Sequence, residues 1–393
     1  MSEQKILIVD DEPYNLEYLE QELEHPAYRL LTAANGQEAL KKVKSESPDL
    51  ILLDIMMPVM DGYEVLSRLK ADDSTRDIPI IVISANNDLQ SVVKGIQLGA
   101  EDYLPKPFEP ILLHARITSS LEKKRLRDLQ QLYLKSLERE FDIAREIQQG
   151  FLPAELPQVE GWEIAAYFKA AREVAGDFYD AFSLPDGNLV CVIGDVCGKG
   201  VGAALFMTLF RSLIRVTSTS GGLASSAGRG SLSPDERLKQ AIAFTNHYVA
   251  VTHGEANMFS TVFIGLFNLA EGTLSYINCG NEPPLLVGQA GTISPLPPTG
   301  PVVGVFSNAE FLVREISMRR GDRLLAFTDG VPDALNARGD PYGHERLAGL
   351  MKPGEASAAA LLKGVQEDLN QFIGNAEQFD DITLLAVKRG SPG

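Results

Sequence analysis

The stretch AGDFYDAFSLPDGNLVCVIGDVCGKG, residues 175–200, places acidic residues and glycines beside an apolar run. The run NLVCVIGDV predicts a β-strand, and the turn sequence PDGN at 185–188 before it predicts an antiparallel neighbour. Similar alternating segments continue towards the C-terminus, interrupted by predicted helices at 202–216, 234–251 and 356–373. This half of the chain is therefore expected to form two sheets covered by helices.

Aspartates recur at the ends of the predicted strands in this half. They are Asp177, Asp195, Asp329, Asp380 and Asp381. Hydrolysis of a phosphate ester by two metal ions needs aspartates that bridge and flank ions about 3.5–4 Å apart, and little else from side chains. The carbonyl of Val196, in a segment where glycines allow tight turns, is a further candidate ligand. An Asp-Gly pair alone is common in turns, but the ordered set predicts a metal centre.

The first half of the chain has a different pattern, in which short apolar runs alternate with amphipathic stretches. This alternation predicts βα units around a parallel sheet. Polar side chains follow the predicted strands, namely Asp10 and Asp11, Asp54, Ser84 and Lys106. Because ligands bind outside the carboxyl ends of the strands in open α/β sheets, these side chains are expected to converge. Clustered carboxylates repel one another unless a hard cation such as Mg²⁺ neutralises them.

A connecting segment, residues 111–151, is rich in Leu, Glu, Lys, Arg and Gln and has no glycine before Gly150. This composition predicts one long helix, or two in tandem. A coiled-coil spacing is followed by Leu134, Leu137, Phe141, Ala144, Gln148 and Phe151, although the pattern upstream is irregular. The spacing predicts a homodimer through this helix, and the alternative is a helix that packs its apolar stripe on its own domains.

The composition disfavours several classes of protein. Lys and Arg number 36 against 53 Asp and Glu, a formal charge of -17 that repels nucleic acid and anionic lipid. The three cysteines form no CxxC pair, and their odd count suits a reducing compartment. The sequence has neither a leader-like N-terminus nor 18 consecutive apolar residues. A cytoplasmic protein that binds neither nucleic acid nor membranes is expected.

The polar positions of the first half resemble those of the response-regulator receiver family. The shared motifs are VDDE at 9–12, LLDIMMPVMDG at 52–62, ISA at 83–85 and PKPF at 105–108. The resemblance covers about 1–121 and implies a flavodoxin-like, doubly wound domain that accepts phosphate from a sensor histidine kinase or a phosphotransfer protein. It implies the following roles: Asp54 is the phosphoacceptor, Asp10, Asp11 and Asp54 hold Mg²⁺, Ser84 and Lys106 sense the phosphate, and Tyr103 is the switch aromatic. The alternative is a receiver that never receives a phosphate.

The second half resembles the metal-dependent Ser/Thr phosphatases of the PPM (PP2C-like) superfamily, in the SpoIIE/RsbU-type branch. The motifs that carry the resemblance are AREIQQGFLP at 144–153, REVAGDFYD at 172–180, IGDVCGKGVGAALFM at 193–207, FTDGVPDA at 327–334 and DDITLLAV at 380–387. The resemblance covers about 140–389 and implies an α/β/β/α sandwich that acts on phosphoserine or phosphothreonine. It implies that two Mn²⁺ or Mg²⁺ ions are held by Asp177, Asp195, Asp329 and Asp380, with Asp381 as an additional candidate.

Some positions depart from that family pattern. The glycine usual before GDFYD is Ala175, the residue after TDGV is Pro332, and the usual GHNPP reads GNEPP at 280–284. None of these changes removes a predicted ligand, but they leave open whether the rim of the site fits the usual substrate.

The predicted organisation is a receiver domain at 1–121, a helical linker at 122–151 and a phosphatase domain at 152–389, with a Ser/Gly-rich surface loop at 217–233. Phosphorylation of Asp54 is expected to control the phosphatase. The resemblance implies that the substrate is a phosphorylated anti-sigma factor antagonist of the STAS type. The alternative function is a catalytically silent adaptor that binds a sigma or anti-sigma pathway protein when phosphorylated.

Overall fold

The computed structural model describes residues 3–85, 89–219, 232–351 and 357–390. The chain divides into two compact units, Met1–Glu138 and Arg139–Gly393. Most of the predicted Ser/Gly-rich loop, residues 220–231, lies outside the described residues, as does the first residue of the predicted final helix, Ala356.

The first unit alternates strands and helices around one parallel sheet. Its elements are β1 (Gln4–Val9), α1 (Pro13–Glu22), β2 (Tyr28–Ala33), α2 (Gly36–Glu46), β3 (Leu50–Asp54), α3 (Gly62–Ala71), β4 (Ile80–Ser84), α4 (Leu89–Gln97), β5 (Asp102–Pro105) and the first part of α5 (Pro110–Phe151). The five strands follow the order β2-β1-β3-β4-β5, with parallel pairing throughout. The doubly wound receiver architecture is confirmed.

Helices cover both faces of this sheet, which explains why its central strands are continuously apolar. Every residue of β3 (LILLD) and of β4 (IIVIS) is buried. On one face α2 and α3 contribute buried residues such as Val43 and Leu66, and on the other α1 and α5 contribute Leu19 and Ile117. Both layers hold the strand ends in fixed register, which is what positions the polar side chains beyond them.

The second unit contains two sheets between two helical layers. Its elements are β6 (Trp162–Lys169), β7 (Phe178–Ser183), β8 (Leu189–Val196), α6 (Val201–Thr219), α7 (Pro234–Thr252), a 3₁₀ turn (Gly254–Ala256), β9 (Ser260–Asn268), β10 (Thr273–Cys279), β11 (Leu285–Val287), β12 (Ile293–Pro295), β13 (Arg314–Ser317), β14 (Arg323–Phe327), α8 (His344–Gly349), α9 (Ala358–Ile373) and β15 (Ile382–Arg389). The sheet orders are β13-β10-β9-β8-β7 and β12-β11-β14-β15-β6.

Three hydrophobic clusters define the layers of this unit. The central one joins the two sheets and includes Trp162, Phe263 and Leu385. A second lies between the first sheet and the helices α6 and α7, and a third lies between the second sheet and the helices α8 and α9. The α/β/β/α sandwich expected from the sequence is confirmed.

Helix α6 is long and apolar enough to cross a membrane by length and composition alone, and it is the one such helix among the described residues. A core helix of a globular domain passes the same test. Here the side chains of Met207, Phe210 and Ile214 are buried in the cluster against the first sheet. Packing against the first sheet therefore accounts for part of the apolar character of α6.

The central core can be tested through Phe267, which is fully buried and contacts Trp162, the single tryptophan, edge-on. The substitution Phe267→Ala should lower the free energy of unfolding by about 3–5 kcal/mol, because it removes apolar contacts and leaves a cavity. Urea unfolding followed by Trp162 fluorescence measures the loss. The control Phe306→Ala removes a ring that is 62% exposed and should change stability by less than about 0.5 kcal/mol. Equal losses would contradict the core assignment.

Candidate functional sites

The first site lies where strands of the parallel sheet end. Asp10 follows β1, Asp54 ends β3 and Lys106 follows β5. The Nζ atom of Lys106 lies 2.7 Å from Asp10 Oδ2 and 2.7 Å from Asp54 Oδ1. Burial works to lower the pKa of Lys106, but its hydrogen bonds to the two aspartates outweigh burial and raise that pKa. The structure thus joins three of the predicted site residues in one ion-paired group.

Asp54 occupies a desolvated position. Its side chain is buried, and its Oδ2 accepts a hydrogen bond from the Met56 amide at 2.7 Å. Burial raises the pKa of Asp54, and the negative charge of Asp10 adds to the rise, whereas Lys106 opposes it. The backbone passes close by at Gly62, where a Cβ atom would lie 2.2 Å from the Asp54 carbonyl oxygen. Only glycine fits there, because the start of α3 packs directly against the backbone at the end of β3.

The other predicted receiver residues flank this group. Ser84 ends β4 beside β3 and is buried, and Tyr103 is a buried residue of β5. Asp11 is half-buried and adjoins Asp10. Their positions agree with the predicted roles, which stay predictions.

The second site begins with Asp177, which immediately precedes β7 and is 1% exposed. Its Oδ2 accepts hydrogen bonds from the Thr328 hydroxyl at 2.7 Å and the Thr383 hydroxyl at 2.5 Å. Burial raises the pKa of Asp177 well above its usual range, and the charges of Asp195 and Asp381 raise it further. This carboxyl group therefore connects the two sheets, since β7 belongs to one and β15 to the other.

Asp195, in β8, has the charges of three other aspartates around it. Burial raises the pKa of Asp195 to about 7, with the charges of Asp329 and Asp380 as the next causes. Burial likewise raises the pKa of Asp329, which follows β14, and Asp380 is again a contributing charge. Asp177, Asp195, Asp329 and Asp380 come from four separate segments and form one cluster, hereafter the acidic centre.

Asp380 differs from the other members because it has a cationic partner. The Nζ atom of Lys199 lies 2.9 Å from Asp380 Oδ2 and donates a hydrogen bond to the carbonyl of Phe379 at 2.7 Å. The same ammonium group lies 4.0 Å from the centroid of the Phe379 ring. Lys199 is therefore held at the edge of the acidic centre.

Asp381 holds the backbone beside the centre. Its Oδ1 accepts a hydrogen bond from the amide of Ala171 at 2.8 Å, and its Oδ2 accepts one from Gly176 at 2.7 Å. Both oxygens thus fix the loop that leads into Asp177. The carbonyl of Val196 faces this loop, because a Cβ atom at Gly176 would lie 2.8 Å from it. The assignments of Asp381 and Val196 as metal ligands stay predictions.

Whether these residues suit metal ions can be judged from their charges. Within the described ranges, no group of three or more His, Cys, Asp or Glu side chains is already arranged to hold an ion. The acidic centre nevertheless offers only oxygen donors, which hard divalent cations prefer. Burial is the main cause of the raised pKa values of Asp195 and Asp329, and the charges of neighbouring carboxylates add a repulsion that a divalent cation would relieve. The donor set therefore fits Mg²⁺ or Mn²⁺, provided that the side chains shift to meet the ion.

Sequence reasoning missed three residues that organise the second site. Thr328 and Thr383 hold Asp177, and they are the threonines of the predicted segments TDG and DDIT. Gln148, assigned to a coiled-coil seam, is buried instead, and its amide group exchanges two hydrogen bonds with the backbone of Ala175, at 2.7 and 3.0 Å. The last turns of α5 thus contact their own chain through Gln148, whereas Ile143 and Ile147 are exposed, and a homodimer through this helix stays a prediction. A polar residue within an otherwise apolar spacing was the sequence signal that could have indicated this contact.

Comparison with known proteins agrees with this architecture. Residues 6–118 match the response regulator receiver domain, and residues 185–390 match the family described as Stage II sporulation protein E (SpoIIE). Fold and sites together define a response regulator with a phosphatase-type domain. The chain belongs to the SpoIIE family of PP2C-like proteins, and it carries a receiver domain ahead of that region.

Individual relatives match parts of the chain. Protein IcfG of Synechocystis sp. is 40% identical over 262 residues, which is 64% of this chain and 41% of that protein. The alkaline phosphatase synthesis transcriptional regulatory protein PhoP of Bacillus subtilis is 41% identical over 122 residues, 31% of this chain and 50% of PhoP. The chain thus spans half or less of these two relatives. The SiaA-PP2C domain of Pseudomonas aeruginosa, at 19% identity, shares the fold with a TM-score of 0.53 over 65% of this chain and 98% of that domain.

The repulsion in the acidic centre predicts how Asp195→Asn changes stability. A carboxyl group whose pKa is raised by folding favours the folded state below its unfolded pKa of roughly 3.9, and this contribution is lost as pH rises through about 7. Without metal at pH 8, the variant should therefore be more stable than the unsubstituted protein, by on the order of 1–3 kcal/mol. At pH 5 the difference should be smaller, and below about pH 4 it should largely vanish.

Thermal unfolding in chelator and in Mn²⁺ measures both effects. Added Mn²⁺ should stabilise the unsubstituted protein more than Asp195→Asn, because the variant lacks a carboxylate ligand. Asp73→Asn, whose side chain is 89% exposed, is the control and should follow the unsubstituted protein. A variant that is less stable at pH 8 in chelator would contradict the repulsion.

Proposed function

We propose that this protein is a metal-dependent protein serine/threonine phosphatase whose activity is controlled by phosphorylation of Asp54. The observation that supports the enzymatic part is the acidic centre, in which four aspartates from separate segments share one charged region. A binding module without catalysis gains nothing from keeping such mutually repelling carboxylates. The observation that supports the control is the ion-paired group of Asp10, Asp54 and Lys106.

In the phosphatase domain, Asp177, Asp195, Asp329 and Asp380 would hold two Mn²⁺ or Mg²⁺ ions. Such ions supply Lewis-acid charge to the phosphoryl group and to the attacking water. The threonine hydroxyls at 328 and 383 fix the carboxyl group of Asp177, and Asp381 fixes the loop before it. Lys199 holds Asp380 at the edge of the centre. These residues would keep the ligands in place while the substrate exchanges.

In the receiver domain, a carboxylate oxygen of Asp54 would attack the phosphorus of a phosphohistidine on a kinase or phosphotransfer protein, and the P–N bond would break to release the donor's imidazole as the acyl phosphate forms. Asp10 and Asp11, with Asp54, would hold Mg²⁺ against the developing charge. Lys106 already pairs with Asp54 and would turn to an oxygen of the new phosphoryl group. Ser84 in β4 and Tyr103 in β5 would change their side-chain positions in response to phosphorylation.

The contact of Gln148 suggests how such a signal reaches the phosphatase. Its amide group holds Ala175, the adjacent Gly176 is held by Asp381, and Asp177 follows directly. Arg145, one turn earlier in α5, donates a hydrogen bond to the carbonyl of Glu173 at 3.0 Å. A rotation or shift of the last turns of α5 would therefore move the loop that carries a predicted ligand.

The partners follow from the two domains. A receiver domain implies a phosphodonor such as a histidine kinase, and a phosphatase domain implies a phosphoprotein substrate. We further propose that the substrate is a phosphorylated anti-sigma factor antagonist of the STAS type in a partner-switching pathway. The protein would work in the cytoplasm, and the exposed apolar residues of α5, including Leu126, Leu129 and Ile143, would allow a homodimer.

Turnover of a phosphoserine protein, phosphocasein, in Mn²⁺ tests the enzymatic proposal. Asp329→Asn should lower kcat/KM by about 100-fold or more, because a charge that stabilises the transition state is lost. The control is Asp235→Asn, an exposed carboxylate in the first turn of α7, which should stay within about twofold. Equal turnover by Asp329→Asn and the unsubstituted protein would overturn the site assignment, and absence of turnover in both would favour the adaptor.

The same assay tests control by the receiver domain. Acetyl phosphate should change the turnover of the unsubstituted protein and leave that of Asp54→Asn unaffected. A response that persists in Asp54→Asn would contradict the proposal.

A further inference from the structure

The departure GNEPP at 280–284 and the segment YGHERL at 342–347 bring two side chains together at the edge of the acidic centre. The Nε2 atom of His344 lies 2.6 Å from Glu282 Oε2, although the two residues are 62 positions apart. The side chain of His344 is 60% exposed and that of Glu282 26%. The carboxylate therefore orients the imidazole ring while leaving much of it open to solvent.

Glu282 stands on a firmly held segment. The preceding residue, Asn281, is 2% exposed, and its amide nitrogen donates to the carbonyl of Phe327 at 3.2 Å. Its backbone N–H donates to the side-chain oxygen of Asn278 at 2.9 Å. Two prolines follow Glu282 and restrict the backbone on its other side. The position of the carboxylate is thus set by its surroundings and not by His344 alone.

His344 has equally firm support at the start of α8. Tyr342, two residues before His344, is buried, and its hydroxyl donates to Asp368 at 2.7 Å. Arg346 donates two hydrogen bonds to the same carboxylate, at 2.7 and 3.0 Å. The backbone N–H of Gly343 donates to the carbonyl of Pro332 at 2.9 Å. The ring is therefore presented from a fixed backbone, which lowers the entropy lost when it contacts a ligand.

The pair lies near the end of β14, the strand that leads to Asp329. The residue two positions before Asp329 is Phe327, whose carbonyl accepts from Asn281 and whose ring packs edge-on against the His344 ring at 6.3 Å. A substrate whose phosphoryl group reaches the acidic centre would pass this pair with the polypeptide that carries the phosphate.

The free nitrogen of His344 is suited to such a contact. Within the described residues Nδ1 has no hydrogen-bond partner, whereas Nε2 is occupied by Glu282. A salt bridge on the protein surface contributes only about 0–1 kcal/mol to folding. Stabilisation of the fold is therefore a weak explanation for the contact between Glu282 and His344. A carboxylate that fixes one imidazole nitrogen does, however, define the direction in which the other hydrogen-bonds.

We propose that His344, oriented by Glu282, contacts the polypeptide of the phosphoprotein substrate next to the phosphorylated residue. The inference rests on the proposed phosphatase function and adds a residue that selects proteins over small phosphate esters. Glu282 is a positioning residue, because it acts through the ring of His344.

Steady-state kinetics with phosphocasein and with p-nitrophenyl phosphate tests the assignment. His344→Ala should raise KM for phosphocasein about 5- to 10-fold, the size of one lost hydrogen bond, and leave kcat within about twofold. Its kinetics with p-nitrophenyl phosphate should be unchanged, because that ester has no polypeptide. His344→Gln, which keeps a hydrogen-bonding group, should recover part of the loss, and His344→Phe should not.

Glu282→Ala should raise the phosphocasein KM similarly, and the double variant should be no worse than either single variant, because both remove one contact. The control His247→Ala removes an exposed histidine of α7 and should have no effect. An unchanged phosphocasein KM in His344→Ala, or an equal loss on both substrates, would overturn the assignment. If the unsubstituted protein turned over neither substrate, the proposed function would fail first, and this inference with it.

Discussion

The candidate site of the second unit depends on aspartates that are buried close to one another and therefore repel one another. Carboxylates near one another in a desolvated site raise one another's pKa values, as they do at Asp177, Asp195 and Asp329. Such an arrangement weakens the fold unless something offsets it. The surrounding structure supplies part of that compensation through the hydroxyls of Thr328 and Thr383. A pair of divalent cations would supply the rest, which links the stability of the sandwich to its chemistry.

Neighbouring aspartates differ in the groups that compensate their negative charge. Asp380 has the ammonium group of Lys199, whereas the adjacent Asp381 has only backbone amides. Because both oxygens of Asp381 hold the loop before Asp177, a change in that loop would be felt at the centre. Gln148, near the end of α5, forms two hydrogen bonds with Ala175 in the same loop. The loop before Asp177 is therefore held both by Asp381 and by the end of α5.

Much of this organisation was readable from the sequence, because it follows from short-range patterns. Apolar runs ending in aspartate predicted the buried parallel strands, and the turn PDGN predicted the antiparallel pair β7 and β8. Elements without a strong pattern were missed, including β2, α2, α4 and the short strands β11 to β13. Their formation depends on neighbours that are distant in sequence, so local propensity does not reveal them. The same limit hid the Glu282–His344 pair, which joins two segments 62 positions apart.

The most direct test of the acidic centre is anomalous diffraction from crystals soaked in Mn²⁺. Two peaks about 3.5–4 Å apart, bounded by Asp177, Asp195, Asp329 and Asp380, are expected in the phosphatase domain. Peaks in the receiver domain alone, or single ions bound to these aspartates in separate places, would contradict a shared two-metal centre.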